Sequence, residues 1–267
     1  MSELVVILIF AVLGFGAGIL VGLVGIGGGI IFVPVLYYFL PYTSVNLSQI
    51  SFIVIGTSLF AGSIAASSSG LNHILIKNFD LKKTLYLAIG SILTSIVLPK
   101  FVVSFNPAFI KWFFVFLILI VAIRLFFDKN HSEESGSGLR VTNWFLVLLG
   151  IFVGAISAFA GIGGGIMYVP ILFYLAGVPF RKAIGSSSIL AAITMISLSI
   201  SFGLLNPPIG VVDYQVGYVY LLAGLPLGLF AALGSIIGVK LVVKSRIHVI
   251  KRVFAIILVI AVIKIVF

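Results

Sequence analysis

Long apolar runs separated by short polar loops recur along the whole chain. An α-helix needs about 20 predominantly apolar residues to cross the hydrocarbon core of a bilayer. The pattern therefore predicts an all-α polytopic membrane protein with five apolar segments in each half of the chain. In the first half these are 4–24, 28–40, 50–70, 84–103 and 109–127, and in the second half they are 143–160, 164–177, 184–204, 215–238 and 249–267.

The composition supports a membrane protein and excludes several kinds of site. The 267 residues are 62% hydrophobic and 8% charged, whereas about a quarter of a soluble domain is charged. The chain has no cysteine, which excludes disulfides and thiolate metal sites. The net charge of +10 lies in short loops, where it reports topology rather than nucleic-acid binding. The N-terminus lacks the basic start of a signal peptide, so 4–24 is interpreted as the first span.

The two halves of the chain resemble each other, which is typical of transporters built from repeats. At a shift of 136 residues, six glycines and a proline of the first half (Gly14, Gly18, Gly25, Gly27, Gly28, Gly29, Pro34) align with Gly150, Gly154, Gly161, Gly163, Gly164, Gly165 and Pro170. The stretch 56–59 also matches 185–188, 109–127 matches 249–267, and Asp80 is paired with Asp213. We expect a first transmembrane repeat (1–127), a polar linker (128–140) and a second transmembrane repeat (141–267).

The positive charges predict that the repeats are inverted. If all ten segments cross, thirteen Lys and Arg residues share one side and three lie on the other. The positive-inside rule then places both termini outside. If 28–40 and 164–177 do not cross, the charges spread over both sides, so an odd number of crossings in each half fits better. The thirteen are Lys77, Lys82, Lys83, Arg124, Lys129, Arg140, Arg181, Lys182, Lys240, Lys244, Arg246, Lys251 and Arg252; the three are Lys100, Lys111 and Lys264.

Two glycine runs break the apolar pattern at corresponding places. Adjacent glycines destabilise a helix by about 1 kcal/mol each relative to alanine, so Gly27–Gly29 and Gly163–Gly165 predict breaks. Pro34 and Pro170 follow, as expected near a new helix start. A helix start offers free N–H groups and a positive dipole end, which together form an anion site. The alternative is close helix packing through small residues, which we expect for Gly14, Gly18, Gly22, Gly150 and Gly154. Segments 28–40 and 164–177 are short for a full crossing.

Few polar side chains lie near the breaks. Thr57, Ser58, Ser186 and Ser187 occupy matching places, and their hydroxyls either donate to an anion or bond to helix carbonyls. His73 is a side chain that could carry protons, but its place beside a loop favours a solvated or interfacial position. Asp80 and Asp213 are expected to cap helices.

The paired GIGGG segments, each followed by VP, resemble those of the sulfite exporter TauE/SafE family. The later hydroxyl patches and an Asp ahead of the fourth segment of each half add to the resemblance, which covers nearly the whole chain. It implies a multi-span permease of the cell (inner) membrane for small sulfur-containing anions such as sulfite or organosulfonates. The implied partners are the anion and the lipid bilayer.

We expect a secondary transporter that is not an enzyme and uses no cofactor, metal or nucleic acid. Proton or sodium coupling and homo-oligomerisation are left open. A passive anion channel, or a transporter of another small organic anion, is the alternative. An intramembrane enzyme is disfavoured because the chain has no HExxH, GxSxG or paired intramembrane carboxylates. A structural subunit would leave the duplicated breaks unexplained.

Overall fold

The computed structural model describes residues 2–24, 27–127, 141–208 and 210–242. The linker 128–140 and the segment 249–267 lie outside the described residues. Nine α-helices make up most of the described chain. They are α1 (Glu3–Val24), α2 (Gly29–Phe39), α3 (Ile50–Leu75), α4 (Leu81–Val102), α5 (Pro107–Phe127), α6 (Asn143–Ala160), α7 (Gly165–Pro170), α8 (Phe180–Gly203) and α9 (Leu221–Val242).

Short elements complete the described chain. Two 3₁₀ turns, Leu40–Tyr42 and Leu47–Gln49, lie between α2 and α3, and a π-helical turn, Ile171–Leu175, continues α7. A small hairpin of β1 (Gln215–Val216) and β2 (Val219–Tyr220) precedes α9, with Gln215 paired to Tyr220. The predicted helical segment 215–238 is therefore corrected at its start: its first six residues form this hairpin, and the helix begins at Leu221.

Six helices of the described chain are long and apolar enough to cross a membrane, which supports the predicted all-α polytopic fold. They are α1, α3, α4, α6, α8 and α9. The outer helices turn large apolar side chains outward; Trp144 of α6 is 80% exposed and Leu93 of α4 is 54% exposed. Exposed apolar surface on this scale requires an apolar solvent, and lipid provides it.

Helices α3 and α8 form the antiparallel centre of the molecule. Gly62 of α3 lies against Met195 of α8, and Gly70 lies against Ile189. Further along, Ser69 contacts Ser188 through their hydroxyls, 3.3 Å apart. Because the residue number falls along α8 as it rises along α3, the two helices run in opposite directions.

Two parallel helix pairs flank this centre. A Cβ added at Gly14, Gly18 or Gly22 of α1 would collide with backbone of α9. Likewise, a Cβ at Gly150 would collide with backbone of α4, and one at Gly154 would press on it. The prediction that these five glycines serve close helix packing is confirmed. The first helix of each half thus packs on the fourth helix of the other half, α1 on α9 and α6 on α4.

The two acidic residues expected to cap helices differ. Asp80 precedes α4, and its carboxylate accepts a hydrogen bond from the N–H of Lys83 at 3.0 Å, so its capping role is confirmed. Asp213 lies in a turn ahead of the β-hairpin, eight residues before α9 begins, so the prediction that it caps a helix is wrong. The hairpin separates it from the helix, and Tyr220 stands immediately before α9 instead.

Candidate functional site

Both glycine runs break the helix as predicted. Gly27 and Gly28 have φ angles of 79° and 75°, and Gly163 and Gly164 have 70° and 73°. L-residues with a Cβ avoid this left-handed region. New helices then begin at Gly29 and Gly165. The positive-φ glycines bend the chain immediately before each helix start.

The two helix starts use the same hydrogen bonds. The carbonyl of Gly28 accepts from Ile31 N and Phe32 N at 2.9 and 3.0 Å. The carbonyl of Gly164 accepts from Met167 N and Tyr168 N, again at 2.9 and 3.0 Å. Pro34 and Pro170 are the sixth residues of their helices and lie in the second turn rather than the first. The breaks therefore share a local structure as well as a sequence.

Several N–H groups at these starts lack an acceptor. In the first break, the N–H of Gly29 donates to the Gly27 carbonyl at 2.9 Å. Within the described chain, no backbone acceptor is found for the N–H groups of Gly28, Gly163, Gly164 and Gly165. All four residues are buried. Buried N–H groups in proteins are almost always paired, so these donors point to a partner outside the described backbone.

The two breaks touch each other at the centre of the molecule. A Cβ on Gly29 would collide with the Gly161 carbonyl and with Ile162. Met195 of α8 lies beside both runs. A Cβ at Gly163 would collide with the Met195 side chain, and one at Gly27 would meet Ala191 and the end of the Met195 side chain. Met195 is fully buried. Sequence reasoning missed it, because no local pattern shows which helix meets the breaks.

The four predicted hydroxyl side chains all lie in fully buried positions. Ser58 donates to the Gly161 carbonyl at 2.9 Å, and Ser187 donates to the Gly165 carbonyl at 2.8 Å. These two serines tie α3 and α8 to the second break, and these bonds use their hydroxyl protons.

Thr57 and Ser186 are engaged differently. The Thr57 hydroxyl oxygen accepts from Tyr220 N at 2.9 Å, and the Ser186 oxygen accepts from Asp80 N at 2.9 Å. Each hydroxyl oxygen thus accepts a hydrogen bond from the residue just before a helix of the opposite half, Tyr220 before α9 and Asp80 before α4. No acceptor for either hydroxyl proton is found among the described residues, so both can donate to a ligand.

His73 is buried, with 3% of its surface exposed, so the solvated alternative of the prediction is wrong, while the interfacial one stays a prediction. The loop after α3 folds back over it. Asn78 N donates to the His73 carbonyl at 2.9 Å, and the Asn78 amide lies 3.1 Å from the ring Nδ1. A glycine at 185 permits this approach, since a Cβ there would meet Asn78 and the ring. The sequence carried no signal for Asn78 beyond its place in the loop.

Comparisons with known proteins agree with this architecture. The chain matches the family described as Sulfite exporter TauE/SafE over residues 10–265. A protein of Haemophilus influenzae named "Probable membrane transporter protein" is 30% identical over 95% of this chain and 96% of its own length. "Probable membrane transporter protein MJ0441" of Methanocaldococcus jannaschii is 32% identical over 87% of this chain and 84% of its own. No solved structure matches the chain.

The family match spans nearly the whole chain and includes both glycine breaks. The relatives are named as transporters, and the described structure provides six helices able to span a membrane. The sequence resemblance is therefore confirmed. The chain belongs to the sulfite exporter TauE/SafE family and is a multi-pass membrane transporter rather than an enzyme.

Proposed function

We propose that the protein is a secondary transporter of small sulfur-containing anions, such as sulfite or organosulfonates, and that the anion binds where the two glycine breaks meet. The observation that carries this proposal is the contact between Gly29 and Gly161, with N–H groups in both runs that have no acceptor among the described residues. Helix starts favour anions because their N–H groups and dipoles both present positive charge.

Neutral donors must hold the anion in this site. Among the described residues, no Lys, Arg, Asp or Glu side chain is buried. An anion taken from water without hydrogen bonds would be very unfavourable, so the N–H groups of Gly28 and Gly163–Gly165 are assigned to it. The N–H of Gly29 is already bonded to the Gly27 carbonyl. Each hydrogen bond to a charged group contributes about 1.5–3 kcal/mol.

The hydroxyls are assigned two supporting roles. Ser58 and Ser187 hold the carbonyls of the second break and so orient its N–H groups. Thr57 and Ser186 keep a hydroxyl proton for the anion or for a water molecule that accompanies it. This division assigns a role to each of the hydroxyl residues singled out in the sequence.

The proposed site lies near the middle of the bilayer. A Cβ at Gly62 would meet the Gly27 carbonyl, and one at Gly27 would meet Ala191. Gly62 and Ala191 are both near the midpoints of α3 and α8, whose ranges are Ile50–Leu75 and Phe180–Gly203. If these helices cross the membrane, the breaks lie at its centre, which is where discontinuous helices of inverted repeats meet.

The helix directions support inverted repeats, with an odd number of crossings in each half. With four crossings in each half, α3 and α8 would run parallel; they run antiparallel. The Asn78 amide also donates to the Arg181 carbonyl at 3.0 Å, which requires the loops before α4 and before α8 to lie on one side. The positive-inside rule predicts that this is the cytoplasmic side of the cell (inner) membrane.

A binding screen in detergent tests the substrate class. The melting temperature of the purified protein would be measured with sulfite, thiosulfate, sulfate, methanesulfonate and acetate at equal ionic strength. A ligand that binds only the folded state raises the melting temperature. We expect sulfite or methanesulfonate to raise it more than acetate does. A larger rise with acetate, or no rise with any sulfur anion, would contradict the proposal.

Flux into proteoliposomes separates a secondary transporter from a passive channel. A secondary transporter accumulates the anion against its gradient when a proton or sodium gradient is imposed. A channel only lets the anion equilibrate with the membrane potential. We expect uphill accumulation with one of the two gradients, and flux that stops at electrochemical equilibrium under both would favour the channel.

A further inference from the structure

The neighbours of His73 hold its ring in one neutral tautomer. The Asn78 amide nitrogen donates to the Arg181 carbonyl at 3.0 Å, and this bond fixes which end of the amide carries the hydrogens. The same nitrogen lies 3.1 Å from His73 Nδ1. Nδ1 must therefore accept, and in a neutral imidazole the ring proton then sits on Nε2.

That Nε2–H group is buried and has no partner among the described residues. Buried polar side chains are nearly always hydrogen-bonded, and an unpaired donor is destabilising. The donor thus calls for an acceptor that is not part of the described protein. Nδ1 cannot turn to fill this place without losing its bond to Asn78.

The charge around His73 favours an anionic acceptor. Lys77 lies exposed in the loop after α3, Lys82 lies exposed at the start of α4, and Arg181 and Lys182 lie exposed at the start of α8. The single acidic side chain of these segments, Asp80, is engaged with Lys83. A positive surface of this kind raises the local concentration of anions.

The described part of the opposite half has no such donor. Tyr218 N donates to the Phe202 carbonyl at 3.1 Å, which corresponds to the bond from Asn78 N to the His73 carbonyl. Phe202 thus takes the place of His73 in the second half. Among the described residues, the buried donor therefore lies only on the face of the basic loops.

We propose that the Nε2–H of His73 donates a hydrogen bond to the transported anion at a second subsite, between the basic loops and the central breaks. His73 lies eleven residues along α3 from Gly62, or about 16 Å at the rise of an α-helix. It is therefore too far to share the central site. The inference rests on the proposed function, since it assigns the same anion to a further position.

Two substitutions distinguish the contribution of the Nε2 position from that of the Nδ1 position. His73→Gln places an amide donor close to the Nε2 position, whereas His73→Asn places one close to Nδ1. Affinity for methanesulfonate would be measured in detergent for both variants, together with their melting temperatures. We expect His73→Gln to bind within about threefold of the wild type and His73→Asn to bind about tenfold more weakly, as for the loss of one hydrogen bond to an anion. Equal affinity in both variants overturns the subsite.

A spectroscopic measurement on the unaltered protein covers the case in which the variants fold poorly. The full chain would be labelled with ¹⁵N-histidine, and the signals of His73 would be assigned by their loss in either variant. We expect the Nε2–H form in the absence of anion and a shift of the Nε2 signal on adding methanesulfonate. If methanesulfonate raises the melting temperature of the wild type but leaves this signal unchanged, His73 holds only water or serves the fold, and the inference is overturned. If no sulfur anion binds the wild type at all, the proposed function itself fails.

Discussion

Gly28 and Gly164 are equivalent residues with equivalent constraints. Each precedes the first residue of a helix with a φ near 75°, and a Cβ at either position would press on the aromatic ring four residues later, Phe32 or Tyr168. A left-handed conformation costs an L-residue roughly 1–2 kcal/mol. Substitution therefore distorts the turn that aims the N–H groups, and the whole protein need not unfold.

We expect Gly28→Ala and Gly164→Ala to weaken anion binding by about ten- to a hundredfold, since each distortion removes at least one hydrogen bond to a charged ligand. The corresponding valine variants should abolish transport. Affinity and melting temperature would be measured together. Gly210→Ala is the control, because Gly210 also has a positive φ, 27°, but nothing lies near its added Cβ. Normal affinity with a lowered melting temperature in both break variants would make these glycines packing residues.

Some of these residues could be predicted from the sequence and others could not. The breaks were predictable because only glycine readily adopts their backbone angles, a local property visible in three adjacent letters. Met195 and His73 were not, because their surroundings depend on the antiparallel crossing of α3 and α8. Asp213 was misjudged for a related reason: a polar residue ahead of an apolar run resembles a cap, but a hairpin intervenes.

At the scale of the helices, small residues determine how closely the parallel pairs pack. Along α1, the packing glycines recur every four residues and face backbone of α9, while Gly16 has nothing within reach of an added Cβ. The same helix thus carries a crowded glycine and a free one two residues apart. This spacing puts them on different faces.

Gly18→Ala should therefore destabilise the protein by about 1–3 kcal/mol, because its methyl group would be forced against the Ala231 backbone. Gly16→Ala should be neutral or stabilising by up to about 1 kcal/mol, as alanine is the better helix former. Thermal unfolding in detergent compares the two. Similar melting temperatures for both variants would contradict the packing of α1 on α9.

The helix caps give a second matched pair. Removing the Asp80 carboxylate leaves the N–H of Lys83 without its acceptor at the start of α4, so Asp80→Ala should cost about 1 kcal/mol. Asp213→Ala should change stability by less, since Asp213 caps no helix. Melting temperatures of the two variants check this, and an equal loss in both would restore a structural role to Asp213.

At the scale of the molecule, the halves are interlocked rather than side by side. The first helix of one half packs on α9 and that of the other on α4, while α3 and α8 cross between them. The hydroxyl hydrogen bonds also connect the two halves. Thr57 accepts from the N–H of Tyr220, and Ser186 accepts from the N–H of Asp80. Two matching sets of contacts of this kind are what the proposed two-fold relation between the halves would produce, and such a relation would bring the breaks together.

The orientation of the protein in the bilayer is predicted from its positive charges. Thirteen of the sixteen Lys and Arg residues are assigned to one side, and the bond from Asn78 to Arg181 requires the basic loops of the two halves to share that side. The wild type has no cysteine, so single cysteines report on their own positions. We expect Cys at Lys77, Ser135 and Lys182 to resist an impermeant maleimide added to intact cells, and Cys at Ser104 to react. Reaction at the first three with protection at Ser104 would reverse the orientation. Different results at Lys77 and Lys182 would rule out an odd number of crossings in each half.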